Sequence, residues 1–186
     1  MKHFALLFFA AITLNTSAED NPWISLFDGK SLTGWQATSE ANWRVEDGAI
    51  VVDAGKKGFL LHEDAYFNYE LQIDFKAAPG TNSGVFLSTQ PSPKKLTEDC
   101  YELNIAPPDN PFPTGSLVAR KKVEGVGESE EWRTYQIRVE GAHVAVSLAG
   151  EQILDYQGEA PSTGNRIGLQ LNEGRVAFRN IRIRRL

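Results

Sequence analysis

Apolar residues recur at every second position through most of the chain. Tyr69, Leu71, Ile73 and Phe75 alternate with Glu70, Gln72, Asp74 and Lys76; Tyr101, Leu103 and Ile105 with Glu102 and Asn104; Tyr135, Ile137 and Val139 with Gln136, Arg138 and Glu140. This period gives a strand one buried and one wet face, so each segment reads as β. Val144, Val146 and Leu148 run to the turn Ala149-Gly150-Glu151, and Ile153, Leu154 and Tyr156 return. Trp43 to Val45 and Ala49 to Val52 flank a second turn signal, Glu46-Asp47-Gly48. Near the C-terminus, Ile167, Leu169 and Leu171 lead into Asn172-Glu173-Gly174, and Val176 and Phe178 follow, which predicts a β-hairpin. After Phe178 the phase slips to Ile181 and Ile183. One extra residue at Arg179-Asn180 restores the inward face, which predicts a β-bulge.

No window of helix length carries a helical stripe, and turn signals fall at the spacing of antiparallel sheets. The expected fold is all-β: a two-sheet antiparallel sandwich or jelly roll. Two connections exceed hairpin length, Thr89 to Asp99 and Ala106 to Ser116. The second carries Pro107, Pro108, Pro111 and Pro113, so it should form a stiff wall. Both flank the strand of Glu102 and Asn104, making the surface around that strand the leading site candidate.

Lys2 precedes an apolar run, Phe4 to Leu14, followed by Asn15-Thr16-Ser17-Ala18. The run is too short to span a bilayer, and small residues suit a cleavage site, so residues 1–18 read as a secretory signal peptide and residues 19–186 as one domain. The expected location is periplasmic or secreted, with no membrane association after cleavage. Removing Lys2 takes the formal charge from −5 to −6, which argues against a nucleic-acid partner. Arg182, Arg184 and Arg185 read as terminal charges that keep the sheet soluble. Cys100 is the sole cysteine, so no intrachain disulfide can form, and it reads as a small buried apolar residue.

Nucleophile-elbow, zinc-helix, phosphate-loop and dinucleotide motifs are all missing. His62 and His143 stand without metal-ligand spacing, and His62, beside Glu63 and Asp64, reads as a surface residue more readily than a catalytic one. No cofactor is expected. A calcium ion held by loop aspartates is compatible with a sandwich, though no EF-hand spacing supports it. What remains is a set of polar residues on outward strand faces, Glu70, Gln72, Asp74, Glu102, Asn104, Gln170 and Asn172, with Trp23, Trp35, Trp43 and Trp132 available as apolar platforms. Carboxylates and amides hold hydroxyl groups directionally, so a small carbohydrate is the ligand class they suit.

Several segments, in order, resemble the 3-keto-disaccharide hydrolase domain family: Phe27-Asp28-Gly29-Lys30-Ser31-Leu32-Thr33-Gly34-Trp35, Trp43-Arg44-Val45-Glu46-Asp47-Gly48, Asn82-Ser83-Gly84-Val85-Phe86-Leu87, Tyr101-Glu102-Leu103-Asn104, Gly168-Leu169-Gln170-Leu171 and Phe178-Arg179-Asn180-Ile181. The resemblance implies a concanavalin A-like lectin/glucanase jelly roll, bacterial export, and cleavage of glycosides oxidised to a ketone at carbon 3. It implies Glu102 as general base, Gln170 as an orienting amide, and Asn82 and Ser83 as substrate contacts; Asn104 and Asn172, from the outward polar set, are the further candidate contacts. Two positions depart from the family pattern, Ser88 where an arginine is frequent and Asn172 where a histidine is. Either Arg120 and Lys121 supply the missing charge, or the chain binds sugar through the same face without cleaving it. A conventional glycosidase pairing Glu102 with Asp74 or Glu70 is a third reading, and it requires carboxyl groups about 5 to 9 Å apart.

Overall fold

The computed structural model describes residues 21–161 and 164–186; the signal-peptide segment expected at 1–18 lies outside them. The strands are β1 (Ile24–Ser25), β2 (Trp35–Ala37), β3 (Arg44–Glu46), β4 (Ala49–Val52), β5 (Gly58–His62), β6 (Tyr69–Ala77), β7 (Asn82–Thr89), β8 (Tyr101–Ile105), β9 (Arg133–Glu140), β10 (His143–Leu148), β11 (Glu151–Gln157), β12 (Arg166–Glu173) and β13 (Val176–Arg185). One turn of helix, α1 (Leu96–Asp99), interrupts the first long connection. An eight-stranded antiparallel sheet runs β11-β10-β9-β6-β13-β4-β3, with β1 added against β13. A five-stranded antiparallel sheet runs β2-β5-β12-β7-β8. The two pack face to face around one core, as the alternation requires.

The inward residues are the apolar members of each alternating run. From the large sheet come Leu71, Ile73, Phe75, Tyr135, Ile137, Phe178, Ile181 and Ile183; from the small sheet come Leu60, Val85, Leu87, Leu103, Leu169 and Leu171. The Asp47-Gly48 and Ala149-Gly150 reversals are two-residue hairpin loops with both residues at positive φ, the geometry that matches strand twist. The phase slip after Phe178 is a bulge: register with β6 shifts between Arg179 and Arg182, and Asn180 takes φ 50°.

The C-terminal pair is not a hairpin. β12 lies in the small sheet between β5 and β7, whereas β13 lies in the large sheet against β6, β4 and β1. The turn at 174–175 therefore crosses from one sheet to the other. It runs beside the equivalent crossing from β6 to β7, where the Ala78 N–H and the Thr81 hydroxyl both donate to the Arg175 carbonyl. Gly174 is required there: its φ is +81°, and a Cβ would stand 2.8 Å from Thr81 Cα. β13 is thus an interior strand, and its arginines are laterally engaged. Arg184 is ion-paired with Glu70, Arg182 donates to Gln72, and both guanidinium groups lie 5.0 Å from the Trp23 ring centre.

Candidate functional site

Parity along the small sheet decides which side chains share its outer face. Leu169 and Leu171 in β12, Val85 and Leu87 in β7, and Leu103 and Ile105 in β8 point into the core. Gln170, Gly84 and Asn104 form one lateral row on the opposite face, and Gly168, Phe86 and Glu102 form the next. Phe59 and Leu61 of β5 extend these rows beyond β12, opposite Gln170 and Gly168.

Glu102 is the chemical centre of this face. It is only 6% exposed, and burial pushes its carboxyl up to about 7, opposed by a hydrogen bond from the Gln170 amide that favours the ionised form. The residue between them is a glycine for a steric reason. A Cβ at Gly84 would lie 3.1 Å from the Leu103 carbonyl, 3.4 Å from Glu102 Cγ and 3.6 Å from its Oε1. A side chain there would crowd the carboxyl and stand between it and Gln170.

Two further acceptors lie in the same row. Gln170 Oε1 and Asn104 Oδ1 are buried with no hydrogen-bond partner among the described residues. The Asn104 amide nitrogen donates to the Phe112 carbonyl, so Asn104 anchors the proline loop rather than standing free. That loop is a wall, as its prolines imply. The Thr114 hydroxyl donates to the Ala106 carbonyl and accepts from the Ala106 N–H, while residues 115–118 hydrogen-bond along the open edge of β8.

The remaining expected contacts divide. Asn82 and Asn172 are half-buried at the end of the outer face where the ladder between β7 and β12 shifts register. Ser83 faces the core, fully buried, and its hydroxyl donates to the Gln170 carbonyl at 2.7 Å, so it fixes the β12 backbone instead of meeting a ligand. Arg120 also points elsewhere. Its guanidinium donates to the carbonyls of Thr97, Cys100 and Glu159 and stacks 4.6 Å from the centre of the Tyr101 ring, which lies on the face of β8 opposite Glu102. The Lys121 ammonium donates to the Asp155 carbonyl. Neither supplies a cation beside Glu102.

The paired-carboxylate reading fails on geometry. Glu70 and Asp74 lie on the outer face of the large sheet, across the whole core from Glu102, and packed sheets alone are separated by about 10 Å. Glu70 is bound to Arg138 and Arg184, and Asp74 accepts from Thr134 and Asn180. His62 is buried against Trp35 and Tyr66 on the inner side, and burial holds its imidazole below the usual range. His143 Nε2 is 2.9 Å from Asp155 Oδ1 at a surface strand end. Cys100 is buried, which pushes its thiol up to about 12 and leaves it unreactive. The tryptophans do not supply the platform: Trp35 fills the core, Trp43 packs against it, Trp23 lies against the large sheet, and Trp132 lies beneath Arg179.

Sequence reasoning passed over three residues here. Phe59 and Phe86 meet edge to face with ring centres 4.6 Å apart, forming the apolar part of the outer face. Arg166 has the same strand parity as Gly168 and Gln170, a signal present in β12 itself. Among the described residues no cluster of three His, Cys, Asp or Glu side chains could hold a metal ion.

Residues 22–184 match the model of the 3-keto-alpha-glucoside-1,2-lyase-like domain, and the chain belongs to that family. A 3-keto-disaccharide hydrolase of Bacteroides thetaiotaomicron is 29% identical over 90 residues, which is 42% of this chain but only 31% of that protein's length. Two candidate glycosyl hydrolases of Parabacteroides distasonis share the architecture. One superposes with a TM-score of 0.76 at 23% identity, covering 88% of this chain and 94% of that one. The other gives 0.73 at 28% identity, with 89% and 100% covered. A carbohydrate-binding module of Bacillus subtilis has the same fold at 12% identity and a TM-score of 0.63, covering 81% of this chain and 95% of that one.

Proposed function

We propose that this member of the 3-keto-alpha-glucoside-1,2-lyase-like family is an exported carbohydrate-active enzyme that cleaves 3-keto-glycosides, with Glu102 as general base. The observation that carries the reading is a buried carboxyl, poised near neutrality, on an outer sheet face beside an orienting amide and two acceptors that have no donor among the described residues. A base whose pKa lies near working pH takes a proton efficiently while remaining ionised often enough to act.

The chemistry needs only one such group. A ketone at C3 acidifies the hydrogen at C2. Glu102 takes that proton, the C–H electron pair forms the C2–C3 double bond, and the carbonyl electrons move onto oxygen. Collapse of this enolate forms the C1–C2 double bond and expels the aglycone oxygen, which takes up a proton. Water then adds at C1 and a proton returns to C2, so the net change is hydrolysis. Asn104 Oδ1 and Gln170 Oε1 are suited to accept from sugar hydroxyls, and half-buried Phe59, backed by the fully buried Phe86, gives an apolar side to the ring.

The test is incubation with a 3-keto-glucoside and its parent glucoside, following aglycone release. Turnover of the keto form alone, abolished in Glu102→Gln, is the expected result. Equal release by wild type and variant would sink the assignment of Glu102. Sugar binding without turnover would establish the non-catalytic binding module instead.

A further inference from the structure

We infer that Arg166 supplies the positive charge that meets the substrate's carbonyl oxygen as it becomes an enolate. This rests on the reading of Glu102 as base. Arg166 is distinct among the arginines of the chain. Every other one is engaged in a hydrogen bond, an ion pair or a ring contact: Arg44 and Arg175 with Glu46 and Asp53, Arg138 and Arg184 with Glu70, Arg179 over Trp132, Arg185 over Tyr66. Arg120, Arg133 and Arg182 are likewise held. Arg166 has no such partner among the described residues, although it is half-buried on an ordered strand.

Its position is set by backbone pairing. Ile167 and Leu169 point into the core, so Arg166, Gly168 and Gln170 project from the outer face together. Arg166 pairs with Thr89 just past an irregularity in β7, where Ser88 takes φ 50° and the register shifts by one residue. Just before β12, Gly164 packs so closely on Thr89 and Gln90 that a Cβ would overlap their backbone.

The separation from Glu102 is that of two groups acting on one sugar. Glu102 is opposite Phe86, and Phe86 is opposite Gly168, so two strand spacings separate Glu102 from Gly168. Arg166 is one pleat further along the same face, which places the two α-carbons about 12 Å apart. Extended straight toward each other the two side chains would nearly close that span, so both can reach one sugar ring that lies over the rows between them. The row between them holds Phe86, fully buried and packed against Phe59, and Gly168, which adds no side chain; a Cβ there would meet Leu61 Cδ2 at 2.7 Å. The groups acting on the Glu102 carboxyl do not include Arg166, so base and cation are not paired with each other and both stay available.

The chemical demand fits. When Glu102 takes the C2 proton, negative charge appears on the C3 oxygen, on the adjacent carbon, and an arginine presents a fixed, always charged fork to it. No oxidant, reductant or metal is needed for the step.

Steady-state kinetics of wild type, Glu102→Gln, Arg166→Ala and Arg166→Lys on a 3-keto-glucoside decide the matter, with circular dichroism confirming that each variant is folded. The expected result is a kcat for Arg166→Ala lower by about 10²-fold or more with KM changed only a few-fold, the signature of an interaction made in the transition state. Arg166→Lys should retain an intermediate rate, and added guanidinium should restore part of the alanine variant's rate. If Arg166→Ala turns over like wild type while Glu102→Gln does not, the Arg166 assignment is overturned and that of Glu102 stands. A rise in KM alone makes Arg166 a ground-state contact and overturns its role at the enolate. No turnover by folded wild type overturns the base reading, and the Arg166 assignment falls with it.

Discussion

The Gln170 amide hydrogen-bonds the Glu102 carboxyl across the intervening strand, over the bare α-carbon of Gly84. Burial opposes ionisation of Glu102 and the amide favours it, and the balance leaves the carboxyl at about 7. Removing the amide removes the favourable part. Gln170→Leu should therefore move the acidic limb of the pH–rate profile to higher pH. Wild-type kcat/KM on a 3-keto-glucoside should rise with pH to a plateau above about 7, and an unchanged limb in the variant would show that another group controls it.

The same carboxyl makes stability depend on pH. Its folded pKa lies above the ordinary value of 4.5, so the folded state holds a proton that the unfolded state releases. The contribution is fully present below pH 4.5 and is lost as pH rises through about 7. Glu102→Gln abolishes this dependence. The variant should gain on wild type between pH 5 and pH 8 by on the order of 3 kcal/mol, measured by denaturant unfolding at both values. His62, whose pKa is lowered by burial, weakens wild type and variant alike in acid and cancels in the difference.

Gly174→Ala strains the sheet-crossing turn, because the new methyl must adopt a left-handed backbone beside Thr81. A loss of about 1 to 3 kcal/mol is expected, read from chemical denaturation. Gly150→Ala is the control. It shares a positive φ but has open space around its α-carbon, so it should cost less.

Asn104→Ala detaches the proline loop by removing the donor to the Phe112 carbonyl. Amide exchange should quicken across residues 107–114, with a stability loss of about 1 to 2 kcal/mol. Exchange confined to wild-type rates would mean that the Ala106 and Thr114 bonds hold the loop without it.

Arg120→Ala should lower the melting temperature while leaving KM for the sugar unchanged, since its guanidinium ties α1, β8 and the chain after β11 together from the far side of β8. A selective rise in KM would place Arg120 in the ligand site against its geometry.

Much of this arrangement was legible in one dimension. The alternation in β6, β8 and β12 named the inward residues, and Asp47-Gly48 and Ala149-Gly150 named their hairpins, because strand period and turn stereochemistry are local. The bulge at Asn180 was readable for the same reason: a one-residue slip reverses every following side chain. The turn at Gly174 was not readable as a sheet crossing. A hairpin and a corner between two packed sheets bury the same alternating residues, and only the partners of β12 and β13 distinguish them.

The chain's own residue pattern determined an all-β sandwich, its inward faces, its bulge and the carboxylate of β8, since these follow from period, backbone sterics and residue type. Tertiary structure decided what that carboxylate can do. It placed Glu70 and Asp74 across the core from Glu102, turned Ser83 and Arg120 away, and set Gln170 and Arg166, which has no partner among the described residues, on the same outer face. Those relations depend on which strands lie side by side, and strand pairing is made by contacts between residues far apart along the chain.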